Sequence, residues 1–185
     1  MEFDSCLNYL LEKYSEIDRY ELASLKDIEL RESVLGITLP DSYKKFICIY
    51  SNGINLLDVE PIGGVSEYSP CGFIDFSDRI IPSLEEKVLL PDGTFVPSNE
   101  LICLTTGNNI DCSCTHWAFI CNKEYDGNEY PVGLISQMTG KVVYIIENFQ
   151  KWLSILIEGD INGNEKDVIS IIFPNDEEKY DILDE

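Results

Sequence analysis

Along residues 2–14 apolar side chains return every third or fourth position: Phe3, Leu7, Leu10, Leu11 and Tyr14. That period puts them on one face and predicts a first helix. A second is predicted from Ser24, with Asp27 three residues on as a weaker form of the capping-box acid. Its stripe is imperfect, because Glu32 shares a face with Leu25, Ile28 and Leu35. Gly36 follows as the C-terminal stop. A third helix is predicted with Pro40 at its first position, where a missing N–H costs nothing. Asp41 then meets the positive end of the helix dipole. Tyr43, Phe46, Ile47 and Tyr50 form its buried face, Lys44 and Lys45 its wet side, and Asn52-Gly53 its left-handed stop. A last helix is predicted from Asn148, with Phe149, Trp152, Leu153, Leu156 and Ile157 on one face.

Between residues 54 and 146 the period shortens. LLDVEPIGG, LICL at 101–104, WAFIC at 117–121, VGLI at 132–135 and VVYII at 142–146 are strand-length and rich in β-branched and aromatic residues. Asp126-Gly127 and Thr139-Gly140 mark turns, so the last three runs predict an antiparallel meander. Residues 63–99 are punctuated by Pro, Gly and Ser, and SLEEKVLL at 83–90 predicts one short helix there. VISIIF at 168–173 reads as an extra strand or a short helix, and the acidic tail after it as frayed or loosely docked. Helices lead, strands fill the middle and a helix closes. That order predicts an α+β fold: a mainly antiparallel sheet flanked by N-terminal helices and a C-terminal helix. We read residues 1–185 as one domain with its core over about 24–159, and 160–185 as an extension with an acidic tail.

Charge changes the picture more than composition does. The 185 residues hold 34 acidic and 13 basic side chains, a net charge of −21. The bases are scattered, so nothing is arranged to neutralise phosphates, and neither nucleic acid nor an anionic membrane surface is an expected partner. A basic protein would be drawn in. The start, MEFDSC, carries acids where an export signal carries bases, and no apolar run reaches membrane-spanning length. The expected compartment is the cytoplasm, where the seven cysteines stay reduced.

Three stretches tempt a chemical reading. DCSCTHW at 111–117 offers Cys112, Cys114 and His116, all zinc-ligand types, with Cys121 or Cys103 as a fourth. On a strand, alternate residues stand about 6.6–6.8 Å apart. One ion holding its ligands at about 2.0–2.3 Å cannot collect all three from a regular strand; a tight turn could do better, yet no C-x-x-C knuckle is present. A Cys–His nucleophile needs positive charge to stabilise a thiolate, and this neighbourhood is acidic. GDINGNEKD at 159–167 imitates a calcium loop but has Glu165 where glycine is required and Ile171 where the closing glutamate belongs, which leaves a solvated polar loop. Gly140-Lys141 lacks the rest of a phosphate-binding loop. No enzyme activity, metal or cofactor is expected.

Three phrases in order carry a resemblance. They are DIELRESVLGITLPDSYKKFICIYSNG at 27–53, DGNEYPVGLISQMTGKVVYI at 126–145 and ENFQKWLSILIEG at 147–159. The chain resembles the SUKH superfamily of the Smi/Knr type. Leu35, Gly36, Leu39, Pro40, Tyr43, Phe46, Asn52, Gly53, Phe149, Trp152 and Leu153 stand at its motif positions. Ile54 stands where the family often has a further glycine. The resemblance implies an α+β fold and, in bacteria, an immunity protein that binds a cognate toxin, often a nuclease, and blocks it without chemistry of its own. Fungal relatives imply an alternative, a general interaction or regulatory scaffold linked to cell-wall synthesis. The motif aromatics read as core, so the working surface is expected on loops. Residues 66–78 supply Glu67, Tyr68, Asp75 and Asp78; residues 124–130 supply Glu124, Tyr125, Asp126 and Tyr130. Tyrosine anchors with acids toward the rim suit a protein interface. Nothing in the sequence sets the oligomeric state.

Overall fold

The computed structural model describes residues 1–14, 20–56, 60–67, 69, 71–106, 115–121, 128–163 and 168–173. Helix α1 (Phe3–Lys13) buries Phe3, Cys6, Leu7 and Leu10, the expected stripe. Helix α2 (Leu25–Leu35) starts with a complete capping box. The Asp27 N–H donates to Ser24 Oγ at 3.2 Å and the Ser24 N–H donates to Asp27 Oδ2 at 3.0 Å. Gly36 ends it in the left-handed region. Helix α3 (Asp41–Ile49) has Pro40 as its N-cap, one position earlier than the sequence suggests, and Tyr50 as its C-cap. Asn52-Gly53 is therefore not the helix stop. Gly53, at φ +88°, turns the chain into β1 (Ile54–Leu56).

Strand β1 pairs antiparallel with β2 (Glu60–Ile62) in a small ribbon. The main sheet contains β3 (Asp75–Phe76), β6 (Leu101–Cys103), β7 (Thr115–Ile120), β8 (Val132–Ser136) and β9 (Val142–Ile146), in that order. Every neighbouring pair is antiparallel, so the meander and the α+β class are as the sequence predicts. Helix α4 (Ser77–Ile80) follows β3 directly. Residues 75–80 are thus strand and helix rather than loop.

The predicted helix at 83–90 is absent. Lys87–Leu89 is strand β4, paired with β5 (Phe95–Pro97). The apolar run there is too short to nucleate a helix, and it does better as a hairpin that covers the sheet. Val88 sits opposite Val96, and both are buried against Leu101, Cys103, Ala118, Ile120 and Ile135. The other face carries Ile102, Leu104, Trp117, Phe119, Val132 and Leu134, and packs on α1, α2, α3 and α5 (Phe149–Ile161). Alternate residues of one strand serve opposite faces, so β7 and β8 are buried along their whole length.

Phe149 joins the layers. Its ring centre lies 5.5 Å from that of Phe46, 5.6 Å from Tyr43, 5.9 Å from Trp152, 6.3 Å from Phe119 and 6.4 Å from Phe3. The motif aromatics are core, as expected. Asn148 caps α5 through its side-chain oxygen, which accepts from the Lys151 N–H at 2.9 Å. Gly159–Ile161 is the last turn of α5 rather than solvated loop. Asp160 there accepts from Tyr9 and Tyr14 at 2.8 Å and from Lys13 at 2.6 Å, which clamps α1 to α5. Residues 168–172 form helix α6, one of the two forms the sequence allowed.

Candidate partner-binding face

The loop from β2 to β3 is pinned at both ends. At one end Asn52, buried to 3 %, reaches over from the end of α3. Its Oδ1 accepts from the Val65 N–H at 2.9 Å and its Nδ2 donates to Ser66 Oγ at 2.6 Å. Gly53 and Gly64 let the backbones meet. A Cβ on Gly53 would lie 2.1 Å from Ser69 Oγ, and one on Gly64 would lie 2.6 Å from Asn52 Oδ1. Tyr43 adds a third tie, donating its hydroxyl to the Gly63 carbonyl at 2.6 Å.

At the other end the pin is Arg31 of α2, exposed by only 9 %. Its Nε donates to the Ile74 carbonyl at 2.8 Å, and Nη2 donates to the same oxygen. Nη2 also stands 3.5 Å from Asp75 Oδ1. Arg79 approaches that carboxylate oxygen at 3.1 Å. Each guanidinium covers an aromatic ring: Arg31 lies 4.9 Å from the centre of Phe73, and Arg79 lies 4.9 Å from the centre of Phe76. Planar, weakly hydrated guanidinium groups suit such stacking. Burial draws the Arg31 pKa down and the negative charge of Asp75 opposes the shift. So Asp75 is half-buried and serves two arginines, whereas Glu67 and Asp78 are exposed.

The second predicted loop is only partly visible. Glu124, Tyr125 and Asp126 lie outside the described residues, as does Tyr68 of the first loop. Tyr130 is half-buried and packs against the core. Burial raises its phenol pKa, and the negative charge of Glu32 adds to that. Its neighbour Glu129 does what the sequence did not suggest. Glu129 Oε1 accepts from the Ser42 N–H at 2.7 Å and Oε2 from the Ser42 hydroxyl at 2.6 Å. The Asn128 carbonyl accepts from the Asp41 N–H at 2.8 Å. A carboxylate thereby caps α3 from outside the helix, at the positive end of its dipole. The available signal was Pro40, whose side chain cannot cap.

The structure therefore brings Asp75 to Arg31 of α2 and Tyr130 toward Glu32 of the same helix, while Glu67 and Asp78 stay exposed on the surface. Helix α2 also shows solvent an apolar strip that the sequence reading passed over. Leu30 is 65 % exposed and Val34 51 %. Phe73, stacked on Arg31, is 40 % exposed.

His116 belongs elsewhere, on β7. It is buried, its Nδ1 donates to the Thr105 carbonyl at 3.1 Å, and its Nε2 faces Gln137. A carbonyl can only accept, so Nδ1 carries a proton, and the Gln137 amide nitrogen can only donate, so Nε2 accepts and the ring is neutral. Burial pulls its pKa down, against the Thr105 bond. Cys112 and Cys114 lie outside the described residues. Burial pushes the Cys103 and Cys121 thiols up, away from the reactive thiolate. Among the described residues no group of three or more His, Cys, Asp or Glu is placed to hold a metal ion. No described helix is long and apolar enough to cross a membrane.

A profile of the SMI1 / KNR4 family (SUKH-1) matches residues 22–155. The chain belongs to the SMI1 / KNR4 family. The match takes in α2, α3, the sheet and the first half of α5, and with them both pins of the β2–β3 loop. Comparison with curated proteins returned no match. Within this SMI1 / KNR4 chain the described geometry offers a packed interior and an outer face of α2 with exposed Leu30 and Val34.

Proposed function

We propose that this chain is an immunity-type protein that binds and neutralises a cognate toxin by stoichiometric protein–protein contact in the cytoplasm. The observation that carries the proposal is membership of the SMI1 / KNR4 family in a chain with a net charge of −21. The family resemblance implies a binding role, and the charge selects a basic partner, such as a nuclease whose own substrate is anionic. Long-range attraction speeds such an encounter and repels unwanted anions. The described chemistry supports binding over turnover: the lone histidine is neutral and buried, and the buried thiols are protonated. No specific observation favours the scaffold alternative.

The test is co-expression with candidate toxic domains, taken first from any open reading frames beside this one. Rescue of growth, with a complex that dissociates above about 0.5 M salt where charges are screened within a few ångströms, supports the proposal. Failure to rescue, together with no complex at low salt, removes it.

A further inference from the structure

We infer that the outer face of α2, together with Phe73, is the docking surface, and that its occupant is a basic protein segment carrying one or more apolar anchors. The inference rests on the binding reading above and gives it a location. Helix α2 is apolar on two sides. Ile28 and Leu35 face inward, as a helix of this fold requires. Leu30 and Val34 face outward, one turn apart, where folding alone gives no reason for them. Residues three and four apart on a helix are neighbours, so Val34 borders both Leu30 and Arg31. Phe73 reaches the same place from the β2–β3 loop by stacking on the Arg31 guanidinium. The strip of Leu30 and Val34 thus runs up to the Arg31–Phe73 stack.

That cation does not make the face positive. Arg31 and Arg79 are both engaged by Asp75. On α2 the exposed Glu29 and Lys26 offset each other beside Leu30, while Glu67 on the loop and Asp78 on α4 are exposed and form no ion pair among the described residues. An apolar strip on a chain of net charge −21 is complementary to a segment of opposite charge with apolar anchors. It is unlike the self-complementary patch a symmetric dimer needs, because two copies would bring two strongly acidic chains together. The loop is also held before any partner arrives. Asn52 fixes Val65 and Ser66, and Arg31 fixes Ile74, so little ordering remains for binding to oppose.

The test pans a display library of short random peptides on the immobilised full chain at physiological salt. Recovered peptides are then titrated against the wild type, Leu30→Glu/Val34→Glu and Phe73→Ser. The expected result is a set of Lys- or Arg-rich peptides with an aromatic or aliphatic anchor. Affinity should fall about tenfold or more for both variants, as for anchor residues at an interface centre, with cooperative unfolding and the helical circular-dichroism signal retained, because Leu30 and Val34 are mostly exposed and Phe73 lies at the surface. Binders indifferent to both variants, acidic binders or no binders at all would overturn the inference. So would a wild-type dimer, seen by sedimentation, that the double variant abolishes, since it would make a second copy the occupant. Panning needs no toxin. A double variant that rescues a poisoned cell as well as the wild type would sink this surface while leaving the immunity reading intact.

Discussion

Single residues here do more positioning than their local sequence suggests. Asn52 reads as part of a helix stop, but its amide bonds Val65 and Ser66. Asn52→Ala leaves a buried N–H without an acceptor and should cost about 1–3 kcal/mol in denaturant unfolding. Asn52→Asp keeps the acceptor toward Val65 and should cost less. Phe149 was legible as core from helical spacing, because a stripe of apolar residues needs no knowledge of its partner. Its contacts with five other rings were not, since spacing says which face is buried and not against what. Phe149→Ala should cost about 3–5 kcal/mol, at the high end for a core aromatic. Arg31 was illegible: its partners Ile74 and Asp75 come from a loop remote in sequence, and a basic residue in a helix usually points to water. His116 carries a pH signature. Its folded pKa is depressed, so its neutral form contributes stability that is full above the unfolded value of about 6.5 and is lost as pH falls through the folded value. Urea unfolding of wild type and His116→Asn across pH 7.5 to 5 should show a steeper fall in the wild type.

Elements were legible where a period ran long enough. Helices α1, α2, α3 and α5 and the β7–β8–β9 meander lie where apolar spacing and turn residues place them. The hairpin of β4 and β5 was not, because four or five apolar residues fit either period and only the exposed face of the sheet decides between them. The cap on α3 was missed for a related reason: Glu129 lies 87 positions away. Ser24→Ala removes one half of the α2 capping box and should lower stability by about 1 kcal/mol. It should also loosen the first turn of the helix that bears Leu30, seen as faster amide exchange there. The α1–α5 clamp is set by Asp160. Burial alone would raise its pKa, but the hydrogen bonds from Lys13, Tyr14 and Tyr9 prevail and lower it. Its ionised form is thus favoured by folding. The contribution is present above the ordinary Asp value of about 3.9 and disappears as pH falls through the folded value. Asp160→Asn should flatten that part of the acid-unfolding curve.

At the scale of the molecule, charge sets two opposite responses to salt. A net charge of −21 on one folded chain repels itself, so screening should raise the melting temperature. The same screening should slow association with a basic partner. A chain whose acids served only solubility would show the first response without the second. The sequence made the charge plain but could not say where it is used, because acids are spread along the whole chain and only the fold shows which of them, such as Asp75 and Asp160, are taken up by partners within it. The central claim is that this SMI1 / KNR4 protein acts by occupying a toxin and not by altering it. It is tested most directly by titrating the catalytic activity of the purified toxin domain with increasing amounts of the chain. The account predicts a linear loss of activity that ends at one chain per toxin domain, with intact toxin recovered after high salt. Inactivation by far less than an equivalent, or a toxin that stays inactive once the chain is removed, would contradict it.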